Sequence, residues 1–223
     1  MSQRGFTLIE IAVGLAIIAL LLGMMMVPLG TQFDQQRVSD TQRQLNVVTE
    51  ALIGFAVANG RVPCPATANV ANTTANAGTE ARAGTACTLA EGVVPWTTLG
   101  INETDAWGRR FTYRVTSTWG DDPTGGTLSS FTLTDDGTLT VTNGSTNIAS
   151  NVVAIVVSHG KNGAGAYQTD GTRLALGTGD ELENADSDST FVSRTNAPDF
   201  DDLLAWLSPA VLKARMVASG RLP

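Results

Sequence analysis

Two sets of carboxylates stand where their chemistry has to be explained. Glu10 is the single charge in a run from Phe6 to Leu29 that is otherwise apolar or small apart from Thr7. An ionised side chain inside a hydrocarbon-spanning segment costs roughly 2.5–3.5 kcal/mol at mid-bilayer, so such a residue usually has a partner. Much later, Asp180, Glu181, Glu183, Asp186 and Asp188 place five carboxylates in nine positions. Left alone they repel one another. Calcium takes six to eight oxygen ligands from flexible loops of this kind, and Asp180, Glu183, Asp186 and Asp188 are then the candidate ligands. The spacing is not that of an EF-hand, and a solvated acidic loop is the alternative.

The other reactive side chains point away from catalysis. His159 is the sole histidine, and no nucleophile-elbow motif accompanies it. Gly160, Gly163 and Gly165 superficially resemble a phosphate loop but lack its Lys-Ser/Thr ending, so a tight turn with a structural histidine is expected. Cys64 and Cys87 are the only cysteines. In an exported domain an even pair reads as a disulfide, with two unpaired thiols as the alternative. The bridge closes a segment rich in Ala, Thr, Asn and Gly, worth roughly 3 kcal/mol in the chain-entropy model. The formal charge of −7 argues against generic nucleic-acid binding, leaving only a small basic patch at Arg109 and Arg110.

The elements that must position these residues begin with one long helix. The 24 residues from Phe6 to Leu29 rise enough, at about 1.5 Å each, to cross a ~30 Å hydrocarbon core. Arg4 precedes the run and no cation lies within it, which favours the amino terminus on the cytoplasmic side. After a bend at Pro28 and Gly30, apolar residues at Val38, Leu45, Val48, Leu52, Phe55 and Ala56 trace one helical face. Asn59-Gly60 and Val62-Pro63-Cys64-Pro65 stop it.

Strands follow. Phe111, Tyr113 and Val115 alternate, and Val152 to Val157 is continuously apolar like a covered central strand. Phe131-Thr132-Leu133 and Leu139-Thr140-Val141 flank Asp135-Asp136-Gly137 as a hairpin. Gly92 to Trp96 reads as an apolar docking segment. Asp199 is expected to cap a helix with Phe200, Leu203, Leu204 and Leu207, and Ser208-Pro209 to restart it with Leu212 and Met216 on its apolar stripe.

Arg4-Gly5-Phe6-Thr7-Leu8-Ile9-Glu10 resembles the cleavage and methylation signature of type IV pilins and type II secretion pseudopilins. The resemblance implies cleavage between Gly5 and Phe6 by a prepilin peptidase, N-methylation of Phe6, and a Glu10 that offsets the Phe6 amine of a neighbouring subunit. Opposite charges in low dielectric stabilise each other where either alone would be costly. Asp105-Ala106-Trp107-Gly108 resembles the Asp-x-Trp-Gly segment of the major pseudopilin, with Trp107 a buried plug. The acidic loop, following a strand and a Gly-rich turn, is similar in position to that family's calcium loop, though longer.

The expected fold is α+β and pilin-like. A long amino-terminal helix, membrane-spanning in its first half, packs on an antiparallel sheet of about four strands, with a C-terminal helical extension. The expected divisions are 1–5 leader, 6–29 membrane and assembly helix, 30–60 amphipathic helix, 61–104 disulfide-closed connection, 105–198 sheet with acidic loop, and 199–223 extension. The expected function is that of a structural, minor subunit of a type IV pilus or type II secretion pseudopilus, not an enzyme, held in the inner membrane with its bulk periplasmic. Its expected partners are related pilin subunits, the peptidase, an inner-membrane assembly platform and lipid, with no nucleic acid outside a DNA-uptake pilus. A tip adhesin or DNA-uptake subunit is the alternative, and a membrane-tethered periplasmic enzyme a third.

Overall fold

Leu45, Val48, Leu52, Ile53 and Ala56 recur every three or four residues and are all buried on one helical face. Burying side chains of this size is worth roughly 1.5–3 kcal/mol each. They belong to helix α1, Leu8–Asn59. It ends at Gly60, whose φ of 75° suits glycine and where an added Cβ would lie 2.1 Å from the Leu128 carbonyl oxygen. The computed structural model describes residues 5–222, apart from the side chains of 22–29. The chain divides into two units, Met1–Ser39 and Asp40–Pro223.

In the first unit the chain is helical from Leu8 onward, and the helix runs on through Pro28 and Gly30, where a bend was expected. Among the described residues no helix is long and apolar enough to cross a membrane. The expected span at 6–29 includes the undescribed side chains of 22–29, so its full length rests on sequence alone. The leader residues Met1–Arg4 also lie outside the described residues.

In the second unit the elements after α1 run in the order β1 (Arg82–Ala83), β2 (Ala86–Cys87), β3 (Glu91–Val93), α2 (Trp96–Leu99), β4 (Thr112–Val115) and α3 (Ser117–Gly120). Then come β5 (Leu139–Thr142), β6 (Asn147–Val152), β7 (Ala154–Ser158), α4 (Asp180–Glu183), β8 (Thr190–Val192), β9 (Leu203–Leu207) and α5 (Pro209–Ala218). A four-stranded antiparallel sheet has the order β3-β4-β7-β9. All five residues of β7 are buried, as its unbroken apolar sequence requires. One face packs Tyr113, Val115, Ala154 and Val156 against α1 and against Leu212 and Met216 of α5. The other packs Ile155 and Val157 against Leu139, Val141, Val152 and Phe191 of a second, three-stranded sheet, ordered β6-β5-β8. In that sheet β5 and β8 pair in parallel.

Four expectations change. The stretch from Leu203 to Leu207 is strand β9, not a helix. Leu203, Ala205 and Leu207 meet one cluster while Leu204 and Trp206 meet the other, so both faces are apolar and the period is two. Phe131-Thr132-Leu133 is not a hairpin strand. The Asp135 carboxylate accepts from the Thr132 amide at 2.7 Å, turning the chain locally, and Phe131 stacks on Trp119 at 4.0 Å between ring centroids. Gly92 and Val93 do not merely dock; they join the sheet as part of β3. Arg109 and Arg110 form no basic patch. Arg110 is fully buried, paired with Glu103 at 2.8 Å and lying over the Trp96 ring, and Arg109 donates to two carbonyls of the turn after β7.

Candidate functional site

The amino-terminal site is built by helix chemistry. Thr7 precedes the first helical residue, and its carbonyl accepts from the Ile11 amide. The Glu10 carboxylate accepts from the Thr7 amide at 3.0 Å and the Thr7 hydroxyl at 2.8 Å. The Glu10 amide in turn meets the Thr7 hydroxyl at 3.4 Å. Thr-x-x-Glu is a capping box, so Glu10 closes its own helix start as well as carrying charge. The pattern stood in the sequence and signals this second role. Gly5 and Phe6, on either side of the expected cleavage point, are exposed, Phe6 at 83%. Leu8, Ile9, Ile11, Val13, Leu15, Ile17, Ile18, Leu20 and Leu21 are exposed as well, so over residues 8–21 the helix is apolar on every side apart from Glu10.

Cys64 and Cys87 form a disulfide. Around it Arg61 donates to Glu80 through two nitrogens, at 2.7 and 2.8 Å, and Arg82 donates to Asp122 at 2.7 Å. Gly120 gives the bridge its room, because a Cβ there would sit 2.4 Å from the Cys87 sulfur. Burial pushes the Glu80 carboxyl up, but the Arg61 bonds and the Cys64 amide bond outweigh it, and the net effect is downward.

Three of the four expected calcium ligands are engaged locally. Asp180 pairs with Arg194 at 2.5 Å. Asp186 accepts from the Asp188 amide at 3.2 Å, and Asp188 from the Thr190 amide at 2.6 Å. Glu183 is half-buried, and burial together with repulsion from Asp188, Asp186 and Asp180 raises its carboxyl. None of them carries a buried oxygen without a partner.

The structure gathers a different trio. Among the described residues, Glu181, Asp201 and Asp202 each offer an oxygen within 4.8 Å of the other two. Glu181 is the buried member of the single turn α4, while Asp201 and Asp202 immediately precede β9. Asn162 in the turn after β7 donates its side-chain amide to Glu181 at 2.6 Å and its backbone amide to Asp201 at 2.9 Å. Asn184 donates to Asp202 at 2.8 Å and exchanges two bonds with Val192, tying the site to β8. Burial, then repulsion from Glu181 and Asp201, pushes Asp202 up to about 8 despite the Asn184 bond.

His159, directly after β7, lies beside the trio, with Nε2 at 2.9 Å from the Thr112 hydroxyl and Nδ1 at 3.8 Å from Asp202 Oδ1. Burial, then the charges of Arg173 and Arg109, lowers it to about 3, so it is neutral. Asp105 supports this end of β7. It accepts from the Ser158 hydroxyl at 2.6 Å and from the Trp107 and Arg109 amides at 2.9 and 3.0 Å. Trp107, expected as a buried plug, is half-buried, and Asp105 is the residue of that segment held in the interior.

Residues 1–26 fit the family model described as the prokaryotic N-terminal methylation motif. The chain therefore carries the type IV pilin and pseudopilin signature. No curated protein and no solved structure matches it.

Proposed function

We propose that this protein is a structural filament subunit, pilin-like or pseudopilin, and not an enzyme. It is made with a leader ending at Gly5, cut before Phe6, methylated there, and held in the inner membrane until assembly. The observation that carries this reading is the methylation motif at 1–26 continuing into a helix whose apolar side chains are exposed all round. Such a surface is covered either by lipid or by like helices, and a filament core supplies the second after the membrane supplies the first. The Glu10 carboxylate offsets the new Phe6 amine of a neighbouring subunit in that water-poor core. A minor position in the filament fits the long connection and the extension after β9.

Because Glu10 both caps its helix and carries charge, two substitutions separate the roles. Glu10→Gln keeps a capping-box side chain and removes the charge, whereas Glu10→Ala removes both. The expected outcome is that both variants insert and are cleaved, yet neither is recovered in sheared filaments. Normal incorporation of Glu10→Gln would show that capping alone is the role and would overturn the charge-pairing assignment.

A further inference from the structure

Asn59, Asn143 and Asn162 each precede a glycine. At such a step the backbone nitrogen of the glycine is unshielded by any side chain and free to turn, so it can reach the asparagine side chain. We propose that Asn143, in the turn between β5 and β6, is a self-modification site that loses its side-chain amide and becomes aspartate or isoaspartate.

The Gly144 nitrogen gives up its proton to solvent and attacks Asn143 Cγ. The Cγ–Nδ2 bond breaks, the nitrogen leaves as ammonia, and a five-membered succinimide closes. Water then adds to one of the two ring carbonyls and breaks its bond to the ring nitrogen. Opening at Cγ leaves aspartate; opening at the backbone carbon leaves isoaspartate. The net change is amide and water to carboxylic acid and ammonia, with no oxidation, and one negative charge is gained at neutral pH.

The turn supplies what the attack needs. Asn143 Oδ1 accepts from the Thr146 amide at 2.9 Å, the Ser145 amide at 3.1 Å and the Thr146 hydroxyl at 3.2 Å. Negative charge develops on that oxygen as the nitrogen adds, and convergent donors stabilise it in the manner of an oxyanion hole. These bonds all fall on Oδ1 and the residue is exposed, so ammonia leaves into water and water enters. The Gly144 amide donates to the Thr142 hydroxyl at 3.2 Å, a side-chain acceptor that can rotate away.

The other two steps are held shut. The Gly60 amide donates to the Ala56 carbonyl at 2.8 Å, and Asn59 Nδ2 to the Phe55 carbonyl at 2.9 Å. The Gly163 amide donates to the His159 carbonyl at 2.8 Å, and Asn162 Nδ2 to Glu181 at 2.6 Å. In both, the attacking and the departing nitrogen are tied to acceptors that the reaction must first release.

The new charge has a definite neighbour. A Cβ at Gly144 would lie 3.4 Å from Asp180 Oδ2, so the turn stands against the carboxylate that Arg194 holds at 2.5 Å. A carboxylate at 143 brings a like charge towards Asp180.

The site is independent of the filament reading. Its test incubates the full-length protein in mild detergent and warm, mildly alkaline buffer made with heavy-oxygen water. Peptides across the three steps are then followed by mass spectrometry. The expected result is labelled aspartate and isoaspartate at Asn143, forming at least about tenfold faster than at Asn59 or Asn162, which is about 1.4 kcal/mol of barrier. Unfolding in urea is expected to bring the three rates together, slowing Asn143 and speeding the others. Thr146→Val removes one donor and slows Asn143 several-fold, while Gly144→Ala shields the nitrogen and slows it further. In thermal melts Asn143→Asp is tolerated better with Asp180→Asn than with Asp180 in place. Conversion at Asn143 no faster than at the other two steps would overturn the proposal. So would a faster rate at Asn143 in urea than in the folded protein, or an unchanged rate in both Thr146→Val and Gly144→Ala. Equal tolerance of Asn143→Asp in the two backgrounds would overturn the link to Asp180.

Discussion

Asp105 shows how a single carboxylate can organise the chain around it. It is 4% exposed and raised by burial, yet three donors converge on it. They come from the Trp107 and Arg109 amides and from Ser158, which is next to His159. Removing the acceptor strands those donors, and a buried donor left unpaired costs about 1–3 kcal/mol. Asp105→Ala is therefore expected to destabilise the full-length protein by about 3 kcal/mol or more, and Asp105→Asn, which keeps an acceptor, by less. Denaturant titration checks this; equal losses in the two variants would mean that charge, not hydrogen bonding, sets the cost. At this scale the sequence shows residue types well and partners badly. Glu10 was legible because a charge in an apolar run is conspicuous. Glu181, Asp201 and Asp202 were not read as a set, because nineteen intervening residues and the β8 strand separate Glu181 from its two companions.

Among the elements, periodicity decides what can be read. The α1 face and the all-apolar β7 were legible because burial on one stripe or on both faces leaves a direct trace in residue order. β9 was misread because Leu203-Leu204-Ala205-Trp206-Leu207 is apolar at every position, a pattern that helix and covered strand share. The connection from Cys64 to about Ile101 has little periodicity, and its shape is set by the disulfide and by the ion pairs of Arg61 and Arg82. Those pairs make the connection sensitive to acid. The Glu80 carboxyl is lowered on folding, so its stabilisation is present above the ordinary glutamate range and is lost as pH falls through and below about 4. Melting temperature is expected to fall over that window. Glu80→Gln should melt lower than the parent at neutral pH and show a shallower acid dependence. An unchanged acid slope in the variant would remove Glu80 from the account.

For the whole molecule, the two ends of the sequence do different work. The first unit carries the methylation motif and an apolar helical surface, and the second carries two sheets, a disulfide and the carboxylate trio. The acidic balance of −7, moving to −8 if Arg4 is removed with the leader, makes the surface poorly suited to phosphate backbones. The α+β class and a sheet of four antiparallel strands were legible in advance. The second sheet was not, since β6 is largely polar and exposed and β8 pairs in parallel with β5 across a long separation in sequence. The central claim, that the apolar helix is a processed filament element, is tested most directly by the intact mass of the protein recovered from cells with an active prepilin peptidase. The account predicts a chain starting at Phe6 with one added methyl group on its amine. A chain that still begins at Met1 in those cells would contradict it.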